Sequence, residues 1–93
     1  MPSEISKWKE VIGEKVVIDT NSPYIYLGKI VDCNNWFITL EDVDVHDQKE
    51  GRATKEQYIN ESAKTGIKIN RKRVVICKDQ IISFSRLDEV IVY

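Results

Sequence analysis

Hydrophobic positions along the chain change period at Gly13. Before it, Ile5, Trp8, Val11 and Ile12 recur at helical spacing and form one apolar stripe. Residues 3–12 are therefore predicted to form a short helix, with Ser3 as N-cap, Ser6 as a second candidate, and Gly13 as the residue that stops it. Trp8 sits in the stripe and reads as a packing anchor. After Gly13 the pattern becomes β-like. "EKVVIDT" (14–20) is rich in β-branched residues and "NSP" (21–23) has turn chemistry. "YIYLGKIVDC" (24–33) is a long second strand in which Gly28 predicts a sharp bend or a close backbone approach. Asn34 and Asn35 are placed as the two corner residues of a hairpin, because Asn tolerates the left-handed region. The third strand, 36–45, carries apolar residues at Trp36, Ile38 and Leu40, then at Val43 and Val45. That phase change at Glu41-Asp42 predicts a bulge.

Residues 46–66 are polar and punctuated by Gly51 and Gly66. Thr54 followed by Gln57 is a capping-box pattern, so a helix over 54–64 is expected, with Tyr58 and Ile59 as its docking edge. "IKINRKRVVIC" (67–77) is a fourth strand, "KDQ" a tight turn and "IISFS" (81–85) a fifth. The apolar end of "RLDEVIVY" is expected to add an edge strand. A helix followed by five short, bent strands is mainly β and predicts a small, open antiparallel barrel, with a polar helical insertion between strands 3 and 4.

Ninety-three residues are enough for one domain, expected to span 1–93. The formal net charge of −1 argues against a dedicated non-specific nucleic-acid binder, which needs a large positive excess, but leaves room for a local basic site. No apolar run is long enough to span a membrane and the first residues lack a signal-peptide core, so a cytoplasmic protein with no membrane partner is expected. Cys33 and Cys77 lie in hydrophobic runs and are expected as free, buried thiols. His46 is the single histidine. One histidine in a polar segment supports no catalytic triad, the two cysteines lack zinc-site spacing, and no Gly-rich phosphate loop is present. No enzyme, cofactor or metal is expected.

The pattern Gly28, Ile30, Ile38, Leu40, Val43, followed by Val75, Ile76, Ile81, Ile82 and Phe84, resembles the two sequence motifs of the Sm-like proteins, the family that includes the Lsm proteins and bacterial Hfq. The resemblance covers residues 3–87 apart from the insertion. The hairpin tip is one residue shorter than the family pattern. Asn34 falls where the family has Asp, and Phe37 falls where it has a base-binding Asn. Cys77 and Lys78 replace the Arg-Gly of the second motif. The resemblance implies a homo-oligomeric ring of roughly five to seven subunits. It also implies head-to-tail pairing of the fourth and fifth strands through Val74, Val75, Ile76, Ile81, Ile82 and Phe84. Single-stranded RNA would be held at the pore face.

At that face Trp36 or Phe37 would stack a base, Asn34 and Asn35 would pair with base edges, and Lys78 would meet a phosphate or a ring. Since neighbours on a strand point to opposite faces, one of the two aromatics is expected in the core. The alternative reading is a ring with a degenerate RNA site that serves as a structural or protein-interaction module. The basic run (Lys68, Arg71, Lys72, Arg73, Lys78) and the acidic run (Glu41, Asp42, Asp44, Asp47, Glu50) admit three readings. They form a phosphate-facing strip, solvated strand edges, or complementary surfaces of neighbouring subunits.

Overall fold

The structure, a computed structural model, describes residues 7–49 and 54–93. The expectations placed on Ser3, Ile5, Ser6, Glu50 and Gly51 lie outside the described residues. A helical turn, α1 (7–10), leads into five antiparallel strands and one further helix. These are β1 (Lys15–Thr20), β2 (Tyr24–Cys33), β3 (Phe37–Asp47), α2 (Lys55–Thr65), β4 (Arg71–Cys77) and β5 (Ile81–Arg86). They form one sheet in the order β4-β3-β2-β1-β5. This is the mainly β, five-stranded architecture expected from the sequence, with the helical insertion between β3 and β4.

Gly13 ends the first helical segment at φ 90, and its N–H donates to Ile30 O at 2.7 Å. Trp8 and Val11 are buried beneath it, and Trp8 stacks on Phe84 with ring centroids 4.0 Å apart, so its role as a packing anchor holds. Ile12, expected in the same stripe, is instead exposed, because residues 11–13 have already left helical phase for a turn.

The sheet bends where the sequence changes phase. Between Leu27↔Asp44 and Lys29↔Glu41, β3 contains one residue more than β2. Asp42 takes up the excess at φ 52, the sole positive φ outside glycine among the described residues. Opposite it, a Cβ on Gly28 would stand 3.1 Å from Glu41 O and 3.2 Å from a Val43 methyl, so the strands can approach here only without a side chain. The bulge switches which residues face inward: Ile38 and Leu40 before it, Val43 after it, all fully buried.

Both faces of the sheet are covered. The inner face carries Val16, Ile18, Ile30, Ile38, Leu40 and Val43 under α1. The outer face carries Val17, Ile25 and Leu27, against which Tyr58 and Ile59 of α2 pack. Three consecutive residues of β1, Val16 to Ile18, are therefore buried, each fully buried aliphatic side chain contributing about 1.5–3 kcal/mol. The capping box of α2 is formed on both sides, with Thr54 Oγ1 accepting from Gln57 N and Gln57 Oε1 accepting from Thr54 N. Gly66 ends the helix at φ 95.

Two elements differ from expectation. β4 begins at Arg71 rather than at residue 67, because the Asn70 side chain takes over the pairing. Its Oδ1 accepts from Val45 N and its Nδ2 donates to Val45 O, both at 3.0 Å, in place of a ladder residue. The segment 90–93 adds no edge strand. Asn60 of α2 donates to Ile91 O at 2.9 Å and accepts from Tyr93 N at 3.4 Å, drawing the segment onto the helix instead. No helix among the described residues is long and apolar enough to cross a membrane.

Candidate functional site at the hairpin tip

The β2–β3 hairpin is closed by a side chain. Asn34 N donates to Phe37 O at 3.0 Å, which places Asn35 and Trp36 at the corner, one residue later than expected. Neither Asn34 nor Asn35 uses the left-handed region. Instead Asn34 Oδ1 accepts from both Trp36 N and Phe37 N, each at 2.8 Å. The carbonyl oxygen placed as a base-edge acceptor is thus already occupied by the turn.

This closure explains the two aromatics. Trp36 is 68% exposed and Phe37 42%, so neither is in the core, contrary to the expectation that one would be. In/out alternation begins only at Ile38, which is fully buried, after the turn has released the chain into the sheet.

The β4–β5 turn reaches the same place. Phe37 pairs with Cys77 across β3–β4, and Lys78 N donates to Trp36 O at 2.8 Å. A short 3-10 helix, Lys78–Gln80, turns the chain into β5. Together Asn35, Trp36, Phe37, Cys77, Lys78 and Asp79 line an open cleft of about 300 Å³. The structure therefore brings together the aromatic, amide and cationic residues picked out in the sequence. The Lys78 ammonium does not project outward. It sits 5.7 Å from the centre of the Trp8 ring, a cation–π arrangement. Asp79, which sequence reasoning did not single out, adds a carboxylate to the cleft. Cys77 is exposed and Cys33 half-buried, which corrects the expectation of two buried thiols. Among the described residues no three of His, Cys, Asp or Glu come together as a metal site.

β4 and β5 stand at opposite ends of the sheet, so each has one edge with no strand beside it in this chain. Val75 and Ile82 are exposed, at 57% and 65%. Val74, Ile81 and Phe84 pack partly against the core, and Ile76 is buried in it. Among the described residues the charge runs form an ion pair where Arg73 meets Glu41 at 2.5 Å across β3–β4. Both side chains are well exposed, so the pair is worth about 0.2–1 kcal/mol.

On the outer face the bulge turns Asp44 and His46 toward α2. His46 lies in β3 rather than in a loop and stacks on Tyr58 with centroids 3.7 Å apart. Burial raises the Asp44 pKa, opposed by the charges of His46 and Lys68, and its carboxylate accepts from Asn70 Nδ2. Burial, with help from Tyr24, also raises the Tyr26 hydroxyl. The stack joining His46 to Tyr58 was not legible in sequence, because the residues are twelve apart on different elements.

Comparison with solved structures places this arrangement. The Sm protein of Pyrococcus abyssii, solved in complex with a uridine heptamer, superposes with a TM-score of 0.60 over 88% of this chain and 94% of that one, at 11% identity. The fold is Sm-like. No family model matches the sequence. No curated protein matches it either.

Proposed function

We propose that the chain is a single Sm-like domain that assembles into a homo-oligomeric ring and binds single-stranded RNA at the hairpin-tip cleft, without catalysis. The observation that carries this reading is the fused tip. The backbone that carries two exposed aromatic rings is held in place by Asn34 Oδ1 and by the Lys78 N–H to Trp36 O bond. A ring kept out of the core on a fixed backbone presents a stacking platform, and each stacked base is worth about 1–3 kcal/mol. The likeness to a uridine-bound Sm protein supports the same reading. The free edges of β4 and β5 support head-to-tail closure, because an unpaired edge offers backbone donors and acceptors to a neighbouring strand.

The site favours stacking over base-edge reading. Asn34 Oδ1 is used internally, leaving Asn35 as the free amide in the cleft. Binding is therefore expected to tolerate different bases. Anisotropy titrations of labelled oligo-U and oligo-A at low salt test this: saturation by both, weakened by Trp36→Ala, supports it, and no saturation by either ends the RNA reading.

The second reading, a ring whose RNA site is degenerate and which serves protein interaction, is favoured by Asp79 in the cleft and by the Lys78 ammonium lying over Trp8. Nucleic acid carried through purification, seen as a raised 260/280 nm absorbance ratio, separates the two.

A further inference from the structure

The hairpin-tip cleft holds a charge that base stacking does not use. Asp79 lines it together with Trp36, Phe37 and Asn35. Its Oδ1 accepts from Gln80 Nε2 at 3.3 Å, and among the described residues it belongs to no ion pair. The neighbouring Lys78 ammonium is turned to the Trp8 ring instead, 5.7 Å from its centre. A carboxylate with no cation beside it repels phosphate, so the backbone of a polynucleotide gains nothing by entering here. The same carboxylate attracts the N–H groups of a base edge.

The bases differ in what they offer such a group. A carboxylate only accepts, and its two oxygens suit two parallel donors. Unstacked bases in a single strand expose their Watson–Crick edges. Guanine presents N1–H and its N2 amino group side by side, with the O6 acceptor next to them. Adenine and cytosine each present one amino group beside a ring-nitrogen acceptor, which a carboxylate repels. Uracil presents N3–H between two carbonyl oxygens, so one carboxylate oxygen always faces a carbonyl. Guanine alone matches both oxygens. The free Asn35 amide in the same cleft supplies a donor for O6.

We propose that the cleft prefers guanine among the bases of single-stranded RNA, with Asp79 accepting from N1–H and the N2 amino group, Asn35 donating to O6, and Trp36 or Phe37 stacking on the base. The inference deepens the RNA reading above and rests on it. The exposed rings accept any base, and the Asp79 carboxylate ranks the bases that stack. Gln80 leaves this acceptor capacity intact: Oδ1 keeps a second lone pair, and Oδ2 has no partner among the described residues.

The test is a set of anisotropy titrations of the full chain at one low salt concentration. The probes are a labelled uridine heptamer and the same heptamer with guanosine, adenosine or inosine at its centre. The guanosine heptamer is expected to bind about five- to tenfold more tightly than the uridine and adenosine ones, the low end of bidentate discrimination because the cleft is open to water. Inosine keeps N1–H and O6 but lacks the N2 amino group, so its heptamer is expected to fall between guanosine and adenosine. That arm needs no protein variant. Asp79→Asn, with circular dichroism confirming its fold, is expected to lose the preference for guanosine over adenosine, because an amide matches a donor beside an acceptor. Equal affinity of the parent for all four probes overturns the guanine assignment and leaves the RNA reading standing. So does a preference that inosine retains in full or that survives Asp79→Asn. No saturation by any of the four removes the RNA reading and this inference with it.

Discussion

Asn34 is the residue at which structural and ligand-reading roles give opposite results. Replacing it by Ala removes the acceptor of two backbone N–H groups, those of Trp36 and Phe37. A net hydrogen bond contributes about 0.5–1.5 kcal/mol, and the low end applies here because the tip is exposed and water replaces part of each bond. Two bonds at that level amount to about 1–2 kcal/mol. For a domain of this size, 1 kcal/mol shifts Tm by about 4–8 °C, so Asn34→Ala is expected to lower Tm by about 5–15 °C. Asn34→Asp keeps the acceptor oxygens and strengthens them with charge, so its Tm is expected to stay within about 3 °C of the parent.

RNA binding gives the second readout. A base-reading Asn loses its donor on conversion to Asp, and a carboxylate at the tip also repels phosphate. A turn-forming Asn leaves the stacking rings where they were, so at an ionic strength that screens the added charge Asn34→Asp would retain most of the affinity while Asn34→Ala would lose affinity and stability together. Thermal melts by circular dichroism and anisotropy titrations on the same samples separate the cases. If Asn34→Ala melts with the parent, or if Asn34→Asp melts like the Ala variant, the side chain does not close the hairpin.

Trp36→Ala is expected to leave Tm nearly unchanged, since the ring is 68% exposed, while weakening oligo-U binding by about tenfold, measured by anisotropy. Gly28→Val places methyl groups against Glu41 O and the Val43 side chain and is expected to cost at least about 1–3 kcal/mol, read as a lower urea midpoint. Asp44→Asn bears on pH dependence. Burial raises this carboxyl's pKa in the folded chain, so the native state binds its proton more tightly than the unfolded state does. The group's contribution to stability is therefore greatest in acid, and it falls as pH rises from the ordinary carboxylate value through the raised one. The amide variant is expected to gain relative to the parent over that window, and an equal difference in urea midpoint at every pH from 3 to 7 would contradict it.

What was legible in the sequence was what local periodicity and short-range chemistry dictate. The β-branched runs, the phase change at Glu41-Asp42 and the Thr54–Gln57 box each involve residues within a few positions of one another, and each appears where expected. The errors arose where a side chain replaced backbone pairing. Asn34 closes a turn that φ alone was expected to close, Asn70 takes over the ladder before Arg71, and Asn60 diverts a segment expected as a strand. In all three an amide supplies a donor or an acceptor, and the sequence does not show which backbone group it will reach. The two aromatics were misassigned for the same reason: the strand rule of alternation applies only from Ile38 onward, and the extent of the turn depended on Asn34.

The insertion between β3 and β4 changes what this sheet can do. In a bent sheet with one covered face, the other face is solvated and its strands alternate apolar and polar residues. Here the outer residues Val17, Ile25 and Leu27 are as buried as the inner ones because α2 lies on them. A strand buried on both faces is hard to deform, and β1 and β2 are such strands at the centre of the order β4-β3-β2-β1-β5. The outer strands lack that cover: β4 exposes Arg71, Arg73 and Val75, and β5 exposes Ile82 and Ser83. Stability is thus concentrated in the middle of the sheet and incompleteness at its two ends. That distribution is the one expected of a protomer whose ends are finished by neighbours. It predicts that hydrogen exchange at β4 and β5 amides slows several-fold between dilute and concentrated protein, while β1 and β2 amides are protected at both. Equal, concentration-independent protection in all five strands would mean that the ends are complete in the monomer and need no neighbour.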